Sequence, residues 1–212
     1  MTLMLILSGF LITIFLMTIA KRITALIRTF RLQSLLLFFY VLTMAITQKH
    51  AELFIICGLI FILKVVIIPY VLARIVRRIN VGESLELVIN PQLSLIAALL
   101  FTYFSYIFTH RIMGFNEPMS STVFTVSIAT ICIGFFIMIS RLKALSQVLG
   151  LLTMENGIFL AAAAITGGMP FFVEIALFFD IFVFVIIIEI FVYRVNRLFT
   201  HIDISKMKSL RG

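Results

Sequence analysis

Seven long apolar stretches, separated by short polar segments, run through the 212-residue sequence. We predict that each forms a membrane-spanning helix, because a helix needs about 20 mostly apolar residues to cross the hydrocarbon core of a bilayer. The expected fold class is all-α, a polytopic membrane protein with about seven transmembrane helices. The predicted spans cover residues 2–20, 32–47, 53–73, 91–109, 121–140, 149–166 and 170–193.

The basic residues predict how these spans are oriented. Fourteen lysines and arginines fall after predicted spans 1, 3, 5 and 7, whereas only Lys49 and Arg111 fall on the other side. Because cytoplasmic loops carry the excess of Lys and Arg, the N-terminus is expected outside and the C-terminus in the cytoplasm. The fourteen are Lys21, Arg22, Arg28, Arg31, Arg74, Arg77, Arg78, Arg141, Lys143, Arg194, Arg197, Lys206, Lys208 and Arg211.

Composition supports a membrane protein and excludes several other classes. Hydrophobic residues make up 63% of the chain, more than a soluble domain needs for its core. A net charge of +8 would suggest nucleic-acid binding in a soluble protein, but here the basic residues cluster at helix ends. Cys57 and Cys132 lie in separate apolar spans and are expected to act as small hydrophobic residues. Neither a metal-binding motif nor a phosphate-binding loop is present in the sequence, so no cofactor is expected in this chain.

Three charged residues remain near the centres of predicted spans: Lys64, Glu155 and Asp180. At about 1.5 Å per residue, each is predicted to lie within roughly 5 Å of the membrane midplane. Such residues are costly in a bilayer and must face protein or water. Spans 6 and 7 are also expected to be neighbours, because only a short turn containing Gly167 and Gly168 separates them.

A lysine and two carboxylates at one depth suggest a proton-transfer site, in which burial and neighbouring charge control protonation. The alternative is structural: the two acids would be buried groups that fix helix packing, and Lys64 would simply neutralise one of them. Glu174 and Glu189, nearer the ends of span 7, are secondary candidates for the proton path. Glu174 also suits the start of a helix, and Glu189 suits the membrane interface.

Five features of the sequence occur in a recognisable order: Lys64 to Pro69, Met154-Glu155-Asn156-Gly157, Val173-Glu174-Ile175-Ala176, Asp180, and Ile202-Asp203-Ile204 through Leu210-Arg211-Gly212. Together they resemble the hydrogenase-4 membrane component E family over the full length of the chain. The C-terminal three-helix part is also similar to complex I subunit K and to the C-type subunit of Mrp antiporters, which have an acidic residue on each of two successive helices. Asp180 departs from that pattern, since the second acid there is Glu.

The resemblance implies one membrane domain, 1–212, in three parts. These are an N-terminal four-helix extension (1–110), a three-helix part similar to subunit K (121–199) and a cytoplasmic tail (200–212). It also implies a subunit of a formate hydrogenlyase or another energy-converting, membrane-bound [NiFe] hydrogenase complex in a bacterial or archaeal inner membrane. Expected partners are antiporter-like membrane chains, chains like the H-type membrane subunit of complex I, and peripheral oxidoreductase subunits. The NiFe centre and iron–sulfur clusters would lie in those partners.

Two other functions remain open on the sequence. The chain could be a structural scaffold of the same membrane arm, with no ion-conducting role. It could also be a stand-alone secondary ion carrier, although it lacks the inverted repeat and paired broken helices typical of such carriers. We expect no catalysis by this chain alone, because no set of residues supports an independent reaction.

Overall fold

The computed structural model describes residues 2–49, 51–78, 88–113 and 118–166, and the elements in these ranges are helices. A π-helical segment, Phe61–Ile67, joins α3 to α4, and a second, Thr109–Met113, continues α5. Predicted span 7 and the tail, with Glu174, Asp180 and Glu189, lie outside the described residues. The α-helices are α1 (Thr2–Ile19), α2 (Ile23–Gln48), α3 (Ala51–Ile60), α4 (Ile68–Arg78), α5 (Pro91–Phe108), α6 (Pro118–Ser140) and α7 (Ala144–Thr166).

The described helices have the length and composition of membrane spans. Five are long and apolar enough to cross a bilayer, and a shorter apolar helix, Leu3–Ile19, lies at the lower limit of spanning length. One of these spans, Leu53–Arg77, combines α3, the first π segment and α4. The chain is therefore a multi-pass membrane protein, and the elements among its described residues are helices.

Helix α2 begins at Ile23 and not at residue 32, as the hydrophobic pattern had predicted. Arg28 and Arg31 were assigned to a loop, but both lie exposed on the helix surface. The helix forms this early because one face is buried at helical spacing along its whole length. The buried residues are Ile23, Leu26, Ile27, Phe30, Gln33, Ser34, Leu37, Tyr40, Val41 and Ala45.

The α1–α2 turn and the α6–α7 turn meet at the same end of the bundle. The Arg141 guanidinium donates hydrogen bonds to the backbone carbonyls of Ala20 (3.0 Å) and Thr18 (2.8 Å) at the end of α1. The Val88 amide, just before α5, donates to the Ser140 carbonyl (3.3 Å). Because α3–α4 runs opposite to α2, α4 ends on this side as well. We call this end of the bundle the basic end. It carries Lys21, Arg22, Arg74, Arg77, Arg141 and Lys143.

Arg141, which the topology count placed between predicted spans 5 and 6, lies between α6 and α7 and has a structural role. It is only 2% exposed, and its guanidinium also reaches the Met17 carbonyl (3.3 Å). The last carbonyls of a helix have no partner within the helix and carry the negative end of its dipole, so a cation there is favourable. Burial lowers the pKa of Arg141 to about 10, so it stays protonated near neutral pH.

Helices α6 and α7 form the closest contact among the described helices, because glycines let their backbones approach. A Cβ atom built on Gly134 of α6 would lie 2.6 Å from the Met154 backbone nitrogen of α7. One built on Gly150 of α7 would lie 2.7 Å from the Met138 nitrogen of α6. One built on Gly157 would lie 2.9 Å from the Ser127 carbonyl oxygen. This contact fixes the rotation of α7 relative to α6.

Gly134→Ala is expected to destabilise the protein by about 1–3 kcal/mol, because the new methyl group meets backbone that cannot move aside. The matched control is Gly58→Ala in α3, where a Cβ atom would have nothing within 4 Å. That control should be neutral or stabilising by up to about 1 kcal/mol, from helix propensity alone. Thermal unfolding in detergent measures both. Equal effects of the two substitutions would show that the α6–α7 approach is not tight.

Candidate functional site

Lys64 lies in the middle of the first π segment, inside the third span. The Ile68 amide donates to the Leu63 carbonyl, five residues back, which is the π-helical spacing. Pro69 follows directly; it has no amide hydrogen, and its ring would crowd the carbonyl four residues earlier in a regular helix. The wider π turn relieves this crowding. Short π segments often occur at functional sites, because they reorient a side chain without ending the helix.

The Lys64 ammonium group forms a buried ion pair with Glu155 of α7. The Nζ–Oε1 distance is 3.0 Å, and the two residues are 0% and 2% exposed. Both groups lie within apolar spans, so water does not screen their interaction as it would at a surface. Charges buried in this way are tolerated only when they are paired and hydrogen-bonded. The pair is therefore a costly feature at the centre of the protein.

Asn156, next to Glu155 on α7, holds the same lysine from a second direction. Its Oδ1 accepts a hydrogen bond from Lys64 Nζ (3.0 Å). Its Nδ2 donates to Gln33 Oε1 (3.4 Å) and lies 3.5 Å from Ser34 Oγ, both on α2. Because an ammonium group can only donate, the amide oxygen must face Lys64 and the amide nitrogen must face α2. The polar cluster thus joins α2, the third span and α7.

The sequence of α7 presents Glu155 and Asn156 to the rest of the bundle. Gly150 and Gly157 turn one face of α7 onto α6, which leaves the adjacent face toward α2 and the third span. Thr153, which is fully buried, donates a hydrogen bond to the Leu149 carbonyl (2.7 Å). Its hydroxyl also contacts the Met17 sulfur (3.5 Å). The acid and the amide are therefore held by packing on rigid helices, as a precise polar site requires.

The cluster contains one group that can exchange a proton, the Glu155 carboxyl, beside a fixed positive charge. A carboxylate can take and release a proton, and a fixed ammonium group beside it controls when it does so. Asn156 can accept from Lys64 whatever the protonation state of Glu155, so the lysine keeps one partner in both states. The amides of Asn156 and Gln33 do not ionise, so they stabilise the lysine on the α2 side without offering a second carboxylate.

The structure brings two of the three central charges together. Lys64 and Glu155 are in contact, whereas Asp180, Glu174 and Glu189 fall outside the described residues. Sequence reasoning missed Gln33 and Ser34 and gave Asn156 no role. The signal was available: Gln33 and Ser34 interrupt the apolar stripe of α2 at its helical spacing, so two polar side chains face the core.

Asn156→Leu is expected to destabilise the protein by about 1–3 kcal/mol, because Lys64 and Gln33 each lose a buried hydrogen-bond partner. Asn156→Gln, which keeps an amide, should recover part of this loss. Equilibrium unfolding in mixed micelles measures both. An Asn156→Leu variant as stable as the wild type would show that the amide does not support the lysine.

Comparison with known proteins gives distant relatives. The chain is 24% identical to hydrogenase-4 component E of Escherichia coli K12 over 184 residues, covering 85% of this chain and 83% of that protein. The same figures hold for hydrogenase-4 component E of Shigella flexneri. It is 28% identical over 150 residues to the uncharacterized protein Rv0085 of Mycobacterium tuberculosis, covering 70% of this chain and 68% of that protein. No family model matches the chain, and no solved structure gives a significant match.

These relationships support the resemblance at a coarse level. A match over 85% of the chain to a hydrogenase-4 component, together with several apolar membrane helices, fits a subunit of a multi-subunit membrane complex. The aligned length covers most of both proteins and is not confined to one short motif. The chain is thus a multi-pass membrane protein distantly homologous to hydrogenase-4 component E.

Proposed function

We propose that this chain is a membrane-arm subunit of an energy-converting hydrogenase or hydrogenase-related complex. In this role it contributes buried charges to proton (or sodium) translocation, and the redox chemistry takes place in partner subunits. The distant homology to hydrogenase-4 component E supports the complex. The translocation role rests on one observation: the Lys64–Glu155 pair, 3.0 Å apart and almost fully buried within the spans.

The burial of this pair favours a functional role over a structural one. A buried ion pair is poor at stabilising a protein, because well-packed apolar side chains in its place are often equally or more stable. Within a membrane such groups are costly and commonly mark ion or proton pathways. Lys64 also stands in a π segment, a local geometry that is itself less stable than a regular helix.

The proposed mechanism is a charge-dependent handover at Glu155. When Glu155 is ionised, the Lys64 ammonium group stabilises it directly. When a proton arrives, Glu155 becomes neutral and releases Lys64, whose charge is then held by Asn156 and attracted to another acid. We assign that second acid to Asp180, with Glu174 and Glu189 as secondary positions along the path. When Lys64 moves away, the protonated state of Glu155 is favoured. When Lys64 returns, Glu155 releases its proton.

The same proposal includes the number of spans, their orientation and the neighbouring subunits. The chain has seven spans, with the N-terminus outside and the basic end in the cytoplasm, and its C-terminal half is built like complex I subunit K and the C-type subunit of Mrp antiporters. It resides in the inner membrane beside antiporter-like chains and chains like the H-type membrane subunit of complex I. The peripheral partners carry the NiFe centre and the iron–sulfur clusters.

Purification of the chain from its own host in a mild detergent tests the assignment to a complex. We expect it to co-purify with hydrogenase-like or other oxidoreductase subunits, and the assembly should move ions when it transfers electrons. A complex that pumps normally with both Lys64 and Glu155 neutralised would instead favour a scaffold. Ion transport by the isolated chain in liposomes would favour a stand-alone carrier.

A further inference from the structure

A second polar feature lies at the basic end, far from the Lys64 pair. A cavity of about 480 Å³ opens beside α4 and is lined by Tyr70, Ala73, Arg74 and Arg77. These residues recur at intervals of three and four, so they share one face of the helix. The volume lies within the range of small-molecule binding sites.

The position of the cavity matches the boundary between hydrocarbon and headgroups. Arg74 follows Lys64 by ten residues, or about 15 Å along the helix, and half the hydrocarbon thickness is also about 15 Å. With Lys64 near the midplane, Arg74 lies at the edge of the hydrocarbon. Arg77 lies about 5 Å further out, and Tyr70 about 6 Å further in. Tyrosine and arginine are typical of this interface.

The described lining of the cavity is positively charged, and its hydrogen-bond donors lie on one face of α4. Both arginines are exposed, and neither has an ion-pair partner among the described residues. Arg74 Nη1 donates a hydrogen bond to the Tyr70 hydroxyl oxygen (3.3 Å), which leaves the hydroxyl proton to face the cavity as a further donor. Two guanidinium groups and a phenol therefore present hydrogen-bond donors to the cavity. Arginine in particular binds phosphate through paired N–H groups.

We propose that Tyr70, Arg74 and Arg77 form a binding site for the phosphate of an anionic phospholipid. The guanidinium groups bind the phosphate oxygens, the Tyr70 hydroxyl donates a third hydrogen bond, and the acyl chains run along the apolar surface of the third span. Basic pockets at the positively charged side of membrane proteins bind anionic headgroups in this way. The site is separate from the Lys64–Glu155 pair and does not depend on the proton-transfer role.

The test is native mass spectrometry of the purified full-length chain in detergent, titrated with phosphatidylglycerol. Each arginine near the membrane surface contributes about five-fold to the binding of anionic lipid, so Arg74→Gln/Arg77→Gln should weaken binding roughly 30-fold. The matched control is Lys21→Gln/Arg22→Gln, which removes two exposed charges from the basic end but not from the cavity, and should change binding little. Phosphatidylcholine, which has a phosphate but no net charge, should bind weakly, and millimolar inorganic phosphate should not displace the lipid.

Several results would overturn the proposal. Equal weakening by the two double substitutions would indicate general attraction to a basic surface. Displacement by inorganic phosphate would assign the site to free phosphate. Loss of the lipid when the chain assembles with its partners would assign the cavity to an acidic segment of a partner protein. Thermal unfolding near the wild-type temperature establishes that the double variant is folded.

Discussion

Glu155→Gln is expected to abolish ion translocation by the assembled complex while leaving its protein composition and electron transfer intact. Glutamine has nearly the same shape as glutamate and can still accept a hydrogen bond from Lys64 Nζ, which lies 3.0 Å from Oε1 in the wild type. It cannot take up a proton. Because a positioned proton-transfer group contributes about 10²–10⁴-fold to rate, we expect translocation to fall at least about 100-fold.

The measurement is ion uptake by proteoliposomes that contain the purified complex, normalised to electron transfer. Glu52→Gln is the matched control because it removes the same charge at the beginning of α3, twelve residues before Lys64 and on a different helix from Glu155. It should leave the ratio of ions to electrons unchanged. Unaltered coupling in the Glu155→Gln complex would remove Glu155 from the translocation path.

Lys64→Met is expected to destabilise the protein by about 3–5 kcal/mol, the typical cost of removing one partner from a buried ion pair. Methionine fills much of the space of the lysine stem, so the loss reflects the uncompensated Glu155 carboxylate and the Asn156 oxygen, and not a large cavity. Lys21→Met, at an exposed position in the α1–α2 turn, is the matched control and should change stability by less than about 0.5 kcal/mol.

The double substitution Lys64→Met/Glu155→Met measures the interaction between the two side chains apart from the contacts that each makes with other residues. Replacing both members of a buried ion pair with apolar residues is often close to neutral, so the double variant should be more stable than Lys64→Met alone. We expect a coupling energy of about 2–3 kcal/mol from equilibrium unfolding in mixed micelles. Additive effects of the two single substitutions would mean that the groups do not interact in the folded protein.

The helices were the most predictable part of the structure. Apolar runs of spanning length identified each described helix, because a lipid-facing helix must remain apolar over its whole length. The start of α2 was misplaced by treating Arg28 and Arg31 as loop residues. Long basic side chains can extend along the helix surface toward the interface, so a charged residue does not by itself mark the start of a helix.

Counting residues predicts the depth of Lys64 and Glu155, but it does not predict their contact. Depth depends only on the rise of the helix, whereas contact depends on the rotation of each helix about its axis. Two local features control that rotation here: the π segment around Lys64 and the close approach at Gly134 and Gly157. The close approach arises from packing between distant segments. A proline can kink or end a helix as well as precede a π turn, so the sequence alone reveals neither feature.

The roles of Asn156 and Arg141 also depend on tertiary contacts. Asn156 adjoins a recognised acid, but its role emerges only when Gln33 of α2 is placed beside it. In the sequence, Arg141 is one basic loop residue among many. Its hydrogen bonds to the carbonyls at the end of α1 become visible only in the structure. The sequence signal for this polar cluster was Gln33, a polar residue within the apolar stripe of α2.

Redox-induced infrared difference spectroscopy of the complex can detect directly whether Glu155 gains and loses a proton during turnover. A protonated carboxyl group has a C=O stretching band that the ionised group lacks. We expect a carboxyl band that changes when the complex is reduced, disappears in Glu155→Gln and persists in Glu52→Gln. A spectrum in which this band is unchanged by Glu155→Gln would contradict this expectation.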